Sequence, residues 1–223
     1  IDEPQAAALS HGLNELSEGT AVLYDLGGSS FQVTVLRITD GEVEVIATDG
    51  DPSLGGNQIN EALVQWMLDE FQEEHSADVS GEPAALQRLA EAAESAKVAL
   101  TQGYDTEITL PYLFADSNGP KHMERKLSRA RLEIMAEPHL EKTLDPCWRA
   151  LEKAELAPGD VDVIVLAGGS CRAPYVRGFV ESFFGKKAKD SVDPGHTMAL
   201  GACISAFLRP QGAAAPVEVA EPA

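Results

Sequence analysis

Cysteine is scarce: Cys147, Cys171 and Cys203 are the only three in 223 residues, and no two stand at a paired spacing. An odd, sparse set excludes a disulfide framework and speaks against a cysteine-based zinc site. The histidines, His11, His75, His122, His139 and His196, are scattered and form no HExxH or HxH pair, so a metal enzyme of that kind is not expected. Apolar stretches such as that around Val161–Ala167 fall far short of the ~20 residues a membrane span needs. No basic-then-apolar leader opens the chain, which begins Ile1-Asp2-Glu3-Pro4 without methionine. We therefore expect a fragment or a processed piece. Positive charge is also short. Lys and Arg number 17 against 36 acids, a net charge of −19. Residues 1–100 hold nineteen acids and three bases, Arg37, Arg88 and Lys97. Nucleic acid is not an expected partner of such a field, because its phosphates are bound mainly by Lys and Arg. The one basic cluster, Lys121, Arg125, Lys126, Arg129 and Arg131, lacks interleaved aromatics and reads as the solvated approach to a helix.

Hydrophobic residues make up 44% of the chain, enough for a single compact domain or a modest bipartite fold. Pro4 and the alanines after it read as a short helix with proline in its first turn. Ala21–Leu26 and Ser30–Ile38 read as strands, and Thr39-Asp40-Gly41 turns the chain into a third at Glu42–Thr48. Helical periodicity follows over Asn57–Glu73 and Ala84–Thr101. Asp105–Tyr112 alternates as a strand does, and Asp116–Pro120 reads as a turn. Ser128 caps a helix through Leu132, Met135 and Leu140 that Pro138 and Pro146 bend or divide. Val161–Leu166 reads as a strand in a sheet covered on both faces. Helices are expected at Ala173–Phe184 and Pro194–Leu208, the second with Asp193 as N-cap. Residues 209–223 have no period and read as a disordered tail. The order predicts an α/β architecture.

Three double glycines stand at element ends: Gly27-Gly28, Gly55-Gly56 and Gly168-Gly169. Without a Cβ, each lets backbone N–H groups approach a phosphate or sugar, and the pair before a helix also points amide dipoles at anions. Any single pair alone is a plain turn. None sits in the Walker-type phosphate-loop pattern. Asp25 ends a hydrophobic strand just before Gly27, with Ser29 and Ser30 beyond; a carboxylate there suits a magnesium shell, or simply caps the loop. Glu94, Lys97 and Thr101 share one face of their helix, presenting hydrogen-bonding groups to a ligand or to solvent.

At these motifs the chain resembles the DnaK-type, seventy-kilodalton heat-shock chaperones. Asp25-Leu26-Gly27-Gly28-Ser29-Ser30-Phe31 and Leu54-Gly55-Gly56 look like that family's second phosphate loop and following glycine turn. Gly168-Gly169-Ser170-Cys171-Arg172-Ala173-Pro174 resembles its adenosine motif. Glu3-Pro4, and Asp193-Pro194 leading to Ala199-Leu200-Gly201-Ala202, match further landmarks in the same order, so the similarity runs over residues 1–208. Pro111-Tyr112 and Gly119-Pro120-Lys121-His122-Met123 look most like the bacterial and mitochondrial branch, which implies a mitochondrial matrix or bacterial-type cytoplasmic setting.

The resemblance implies the actin-like ATPase (ribonuclease H-like) fold, with this chain as lobe II of the nucleotide-binding domain. It implies ATP or ADP with Mg²⁺ as ligands. Asp25 would serve the metal and its water, Gly27, Gly28, Ser29 and Ser30 the phosphates, and Gly55 and Gly56 the nucleotide-facing turn. Glu94, Lys97 and Thr101 match nucleoside contacts. Gly168, Gly169, Ser170 and Arg172 match the adenosine cradle, with the Arg172 guanidinium free to lie on the base. Implied partners are lobe I and a peptide-binding domain, a J-domain co-chaperone, a nucleotide-exchange factor and unfolded clients. No first phosphate loop is found here, and phosphoryl transfer needs positioning from both sides, so hydrolysis by this chain is expected near background. Gln32, Asn57, Gln58 and Gly195 stand where the family usually has acids, and Ser29 where it has glycine. A divergent, non-catalytic scaffold or binding subunit is therefore the alternative.

Overall fold

The computed structural model describes residues 1–208; the expectation of a disordered tail lies outside the described residues. A four-stranded sheet forms from β1 (Glu18–Leu26), β2 (Phe31–Thr39), β3 (Glu42–Asp51) and β6 (Val163–Ala167), in the order β3-β2-β1-β6. The first three make the expected antiparallel meander. Asp40 and Gly41 close its second hairpin with φ of 51° and 80°, the left-handed pair whose twist matches that of the strands. β6 joins alongside β1 in parallel, Leu23 opposite Val165. It begins two residues later than the apolar pattern suggested, because Asp162 turns its carboxylate onto the Thr20 N–H at 2.8 Å.

Both faces of this sheet are covered. On one, α1 (Glu3–Ser10) packs Ala7 and Ala8 with Leu13 over Ala21, Leu23, Leu36 and Ile38. On the other, α5 (Leu144–Lys153) and α6 (Pro174–Phe184) bury Cys147, Leu151, Val176 and Val180 against Val22, Tyr24, Val33 and Leu166. Tyr24 is fully buried and donates its hydroxyl to Thr143 at 2.8 Å; Thr143 in turn donates to the Leu140 carbonyl.

A second core lies beside the first. The helices α2 (Gly56–His75), α3 (Pro83–Ala99) and α4 (Arg129–Glu141) pack with the hairpin of β4 (Asp105–Asp116) and β5 (Gly119–Ser128) around Leu63, Met67, Phe71, Leu89, Leu127 and Leu132. β5 corrects the reading of the basic cluster for Lys121, Arg125 and Lys126, while Arg129 and Arg131 do open a helix, α4. Lys121, Met123, Arg125 and Leu127 alternate inward, and the two bases in that row are held by Asp116 and by Glu70 with Glu74. Tyr175 packs against both cores.

α4 ends at Glu141, between Pro138 and Pro146, so the helices divide where the prolines suggested. α7 (Thr197–Leu208) starts three residues later than expected. Asp193 does not cap a helix at Pro194: it accepts the Gly195 N–H at 2.8 Å and Arg172, holding residues 193–196 as a turn. α7 crosses α1 at Gly201, where any Cβ would sit inside the Ala6 backbone.

Two outcomes test this packing. Leu89 is fully buried at the centre of the second core, and Leu89→Ala should cost about 2–5 kcal/mol by urea unfolding, the range for a leucine deleted without collapse of its site. The second concerns His11, buried between α1 and the segment before α7, with Lys189 on its carbonyl and Ser191 and Thr197 on its ring. Burial, reinforced by Lys189, lowers its pKa from 6.5 to about 4. The unfolded chain therefore takes up the proton first. Stability from neutral His11 is fully present above pH 6.5 and drains away as pH falls to about 4. Unfolding free energies of wild type and His11→Gln, measured across that window, should converge as the pH drops.

Candidate functional site

The three glycine pairs meet. Gly27 and Gly28 form the tight turn from β1 to β2, closed by the Gly27 N–H donating to Ser30 O at 2.9 Å. The start of α2 lies against that turn, with the Gly56 N–H on Gly27 O at 3.0 Å and the Asn57 N–H on Gly28 O at 2.7 Å. The loop after β6 completes the junction through Ser170 Oγ, which donates to Gly27 O at 2.9 Å. Such contact leaves no room for side chains at Gly55 and Gly56. A Cβ on Gly55 would stand 2.6 Å from Gly28 O, and one on Gly56 2.5 Å from Ser170 Oγ. Gly168 lies in the left-handed region at φ 84°, against the Leu26 backbone and the Asp25 carboxylate.

This arrangement corrects one expectation. The amides at the start of α2 do not face outward for an anion. Gly56 and Asn57 spend theirs on the neighbouring turn, and the Gly55 N–H donates to Gln58 Oε1 at 2.7 Å. The N–H groups of Gly28, Ser29 and Ser30, by contrast, donate to no acceptor among the described residues, and all three residues are exposed. They are the turn's free donors.

Above the junction opens a cleft of about 400 Å³, lined by Gly28, Glu94, Lys97, Thr101, Gly169, Ser170 and Arg172 of the expected site. Asn57, Val98, Ala173 and Tyr175 line it too. Asp25, Gly27, Ser29, Ser30, Gly55, Gly56 and Gly168 are outside that lining. The buried Gly55 and Gly56 and the half-buried Gly27 and Gly168 form its foundation, the serines stand exposed beside it, and Asp25 lies at the end of β1. Val98 is a lining residue with no motif to announce it: it is 57% exposed on the cleft side of α3, an apolar surface for an apolar ring.

Polar groups in the cleft are held in place. Lys97 is 13% exposed, pairs with Glu94 at 2.8 Å and donates to Gly56 O at 3.2 Å. Asn60 Nδ2 donates to the same Glu94 oxygen at 2.6 Å. Burial pushes the Glu94 carboxyl up, but hydrogen bonds from Lys97 and Asn60 outweigh it and keep the group below its usual range. Thr101 turns its hydroxyl back to Val98 O at 2.8 Å. Arg172 directs its Nε and Nη2 edge to Asp193, at 2.9 Å each, which leaves the flat face of the guanidinium free for stacking. Gly195 makes this possible, since a Cβ there would meet Arg172 Nη2 at 2.5 Å.

Asp25 is half-buried, and burial, then the nearby Glu3 carboxylate, raises its pKa. Among the described residues no three His, Cys, Asp or Glu side chains converge as a metal cage. One carboxylate beside a turn of free amides fits magnesium, which keeps most of its water and binds through one or two carboxylates and substrate phosphates.

A comparison with known families supplies the decisive observation: the family model described as Hsp70 protein matches residues 1–219. The chain belongs to the Hsp70 family. Its mixed sheet-and-helix architecture is accordingly the actin-like ATPase fold of that family's nucleotide-binding domain, and its function is of the ATP-binding chaperone type. Hsp70 proteins bind ATP or ADP with Mg²⁺ and work with co-chaperones and client polypeptides.

Glycine contact at the junction gives a direct test. Gly55→Ala should cost about 1–3 kcal/mol in chemical denaturation, because backbone must move away from backbone. Gly81, where nothing lies within 4 Å of the added Cβ, is the control, and Gly81→Ala should stay within about 0.5 kcal/mol of wild type.

Proposed function

We propose that this chain is lobe II of an Hsp70 nucleotide-binding domain and carries the nucleoside half of an ATP site. One observation supports this above the others. The exposed turn with its unspent N–H groups adjoins, through Gly28, a cleft with a cation at either side, Lys97 and Arg172, in a chain whose net charge is −19. Val98 and the face of Arg172 suit the two sides of a planar base; Glu94 and Lys97 suit hydroxyls; Gly28, Ser29 and Ser30 suit phosphate. Mg²⁺, when bound with the nucleotide, neutralises phosphate charge. Asp25 would hold its water shell.

The chain's own residues act by holding geometry. Asp193 fixes the plane of Arg172, Asn60 and Lys97 fix Glu94, and Ser170 ties the adenosine loop to the phosphate turn. The opposing lobe, with its phosphate loop, would complete the site, and coupling to a peptide-binding domain, a J-domain co-chaperone and a nucleotide-exchange factor belongs to this reading. Pro111-Tyr112 and Gly119–Met123 favour the DnaK-like branch, with a bacterial-type cytoplasm or mitochondrial matrix as its setting.

A second reading, a non-catalytic binding subunit, has its own support. Residues standing where the family has acids do structural work here. Gln58 caps α2 through the Gly55 N–H, Gln32 donates to Thr34 Oγ1 at 3.4 Å, and Gly195 gives Arg172 its room. Losing carboxylates impairs ordering of a metal's water more than it impairs binding through backbone amides.

The test is calorimetric titration of a domain reconstituted with an Hsp70 lobe I. ATP and ADP should bind, and Lys97→Ala should weaken both about tenfold, the equivalent of roughly 1.4 kcal/mol. Silence at millimolar ATP would overturn the proposal. Turnover measured on the same sample decides between the two readings, since the non-catalytic one requires binding without hydrolysis.

A further inference from the structure

Outside the nucleotide cleft, a broad, open concavity lies between α4 and α6. It encloses about 520 Å³, with Ile134, Leu140, Tyr175 and Phe179 as its apolar lining and Glu133 and Glu137 along one side. No described Lys or Arg lines it. Ile134 is 65% exposed, although Leu132, Ala136 and Leu140 of the same helix are buried. On α6, Tyr175, Phe179 and Phe183 recur every four residues, a partly buried aromatic row of about 12 Å along the helix axis. Trp148 of α5, 51% exposed, extends this row by meeting Phe183 edge-on at 5.1 Å. Glu133 and Glu137, joined by the exposed Glu141, make a parallel row of acids on α4, and none of the three has a cationic partner among the described residues. Some acids elsewhere are neutralised: Asp49 takes two cations, and Glu70 with Glu74 takes Arg125.

We propose that this groove docks a cationic amphipathic helix of a partner polypeptide. Its walls are two helices, which offer no strand edge and hence no main-chain ladder for an extended peptide. An apolar helix face with anchors at i, i+3 or i+4 and i+7 matches an aromatic row of this length. Lysines or arginines flanking that face would meet Glu133, Glu137 and Glu141, the charge that a partner must bring to this side of a strongly acidic molecule. A second copy of the chain is a poor occupant, because its own basic cluster on β5 is committed to Asp116, Glu70, Glu74 and Asp105. Nucleic acid and anionic membrane are repelled by the same acids.

The test uses the full chain and two synthetic Leu/Lys peptides of identical composition, one with its leucines on a single helical face and one with them scattered. The amphipathic peptide should bind one-to-one by calorimetry, become helical by circular dichroism, and weaken as salt is added. Ile134→Asp and the double change Glu133→Gln with Glu137→Gln should each reduce affinity about tenfold, the scale of an anchor residue at an interface. Both alter exposed or half-exposed side chains, and unchanged melting curves confirm that the variants fold. Equal binding of the scattered peptide, or full affinity in both variants, would show attraction by overall charge alone and sink the proposal. Sedimentation as a dimer that Ile134→Asp disperses would overturn it in favour of self-association.

Discussion

The structure depends on backbone touching backbone where three loops converge. The carbonyls of Gly27 and Gly28 are taken up by the first amides of α2 and by Ser170, so the turn after β1, the start of α2 and the loop after β6 form one unit. Each loop comes from a different stretch of the chain, and two of them must lack a Cβ, at Gly55 and Gly56 and at Gly168, for the contact to form. The unit also connects the two cores. β1 and β6 run into it from the sheet, and α2 leaves it for the second core. With α2's amides consumed, the junction's unpaired backbone donors are those of the exposed turn at Gly28, Ser29 and Ser30 rather than those of a helix end.

What the sequence made legible follows from how local each signal is. The meander and its Asp40-Gly41 turn, the long helices α2 and α3, and the parallel strand β6 each rest on a period or a turn residue contained within the segment. The lining of the cleft was legible as well, because Glu94, Lys97 and Thr101 share a helix face, and Gly169, Ser170 and Arg172 share a loop. β5 was not, since half of its inward row consists of Lys121 and Arg125, whose burial depends on Glu70, Glu74 and Asp116 from other elements. The late start of α7 was hidden for the same reason: Asp193 looks like a cap until Arg172, twenty-one residues away, claims it. Val98 gave no signal, because an exposed valine in a helix is ordinary until something concave faces it.

Charge separates two kinds of surface on this molecule. In the cleft, charged side chains and an amide lock one another in place: Asn60 and Lys97 hold Glu94, while Asp193 holds Arg172. Such ordering lowers the entropy lost when a ligand arrives. Along α4 the acids are unrestrained, which suits a partner that brings its own counter-charges and orders on arrival.

Tyr175 joins these regions. It packs against both cores, lines both the cleft above the glycine junction and the α4–α6 groove, and lies close enough to Glu133 and Glu94 that burial, then both carboxylates, drives its pKa up. The hydroxyl-bearing ring is therefore part of the wall of both concavities. Any change to that one side chain reshapes both walls at once, because a close-packed interior passes a displacement on instead of absorbing it.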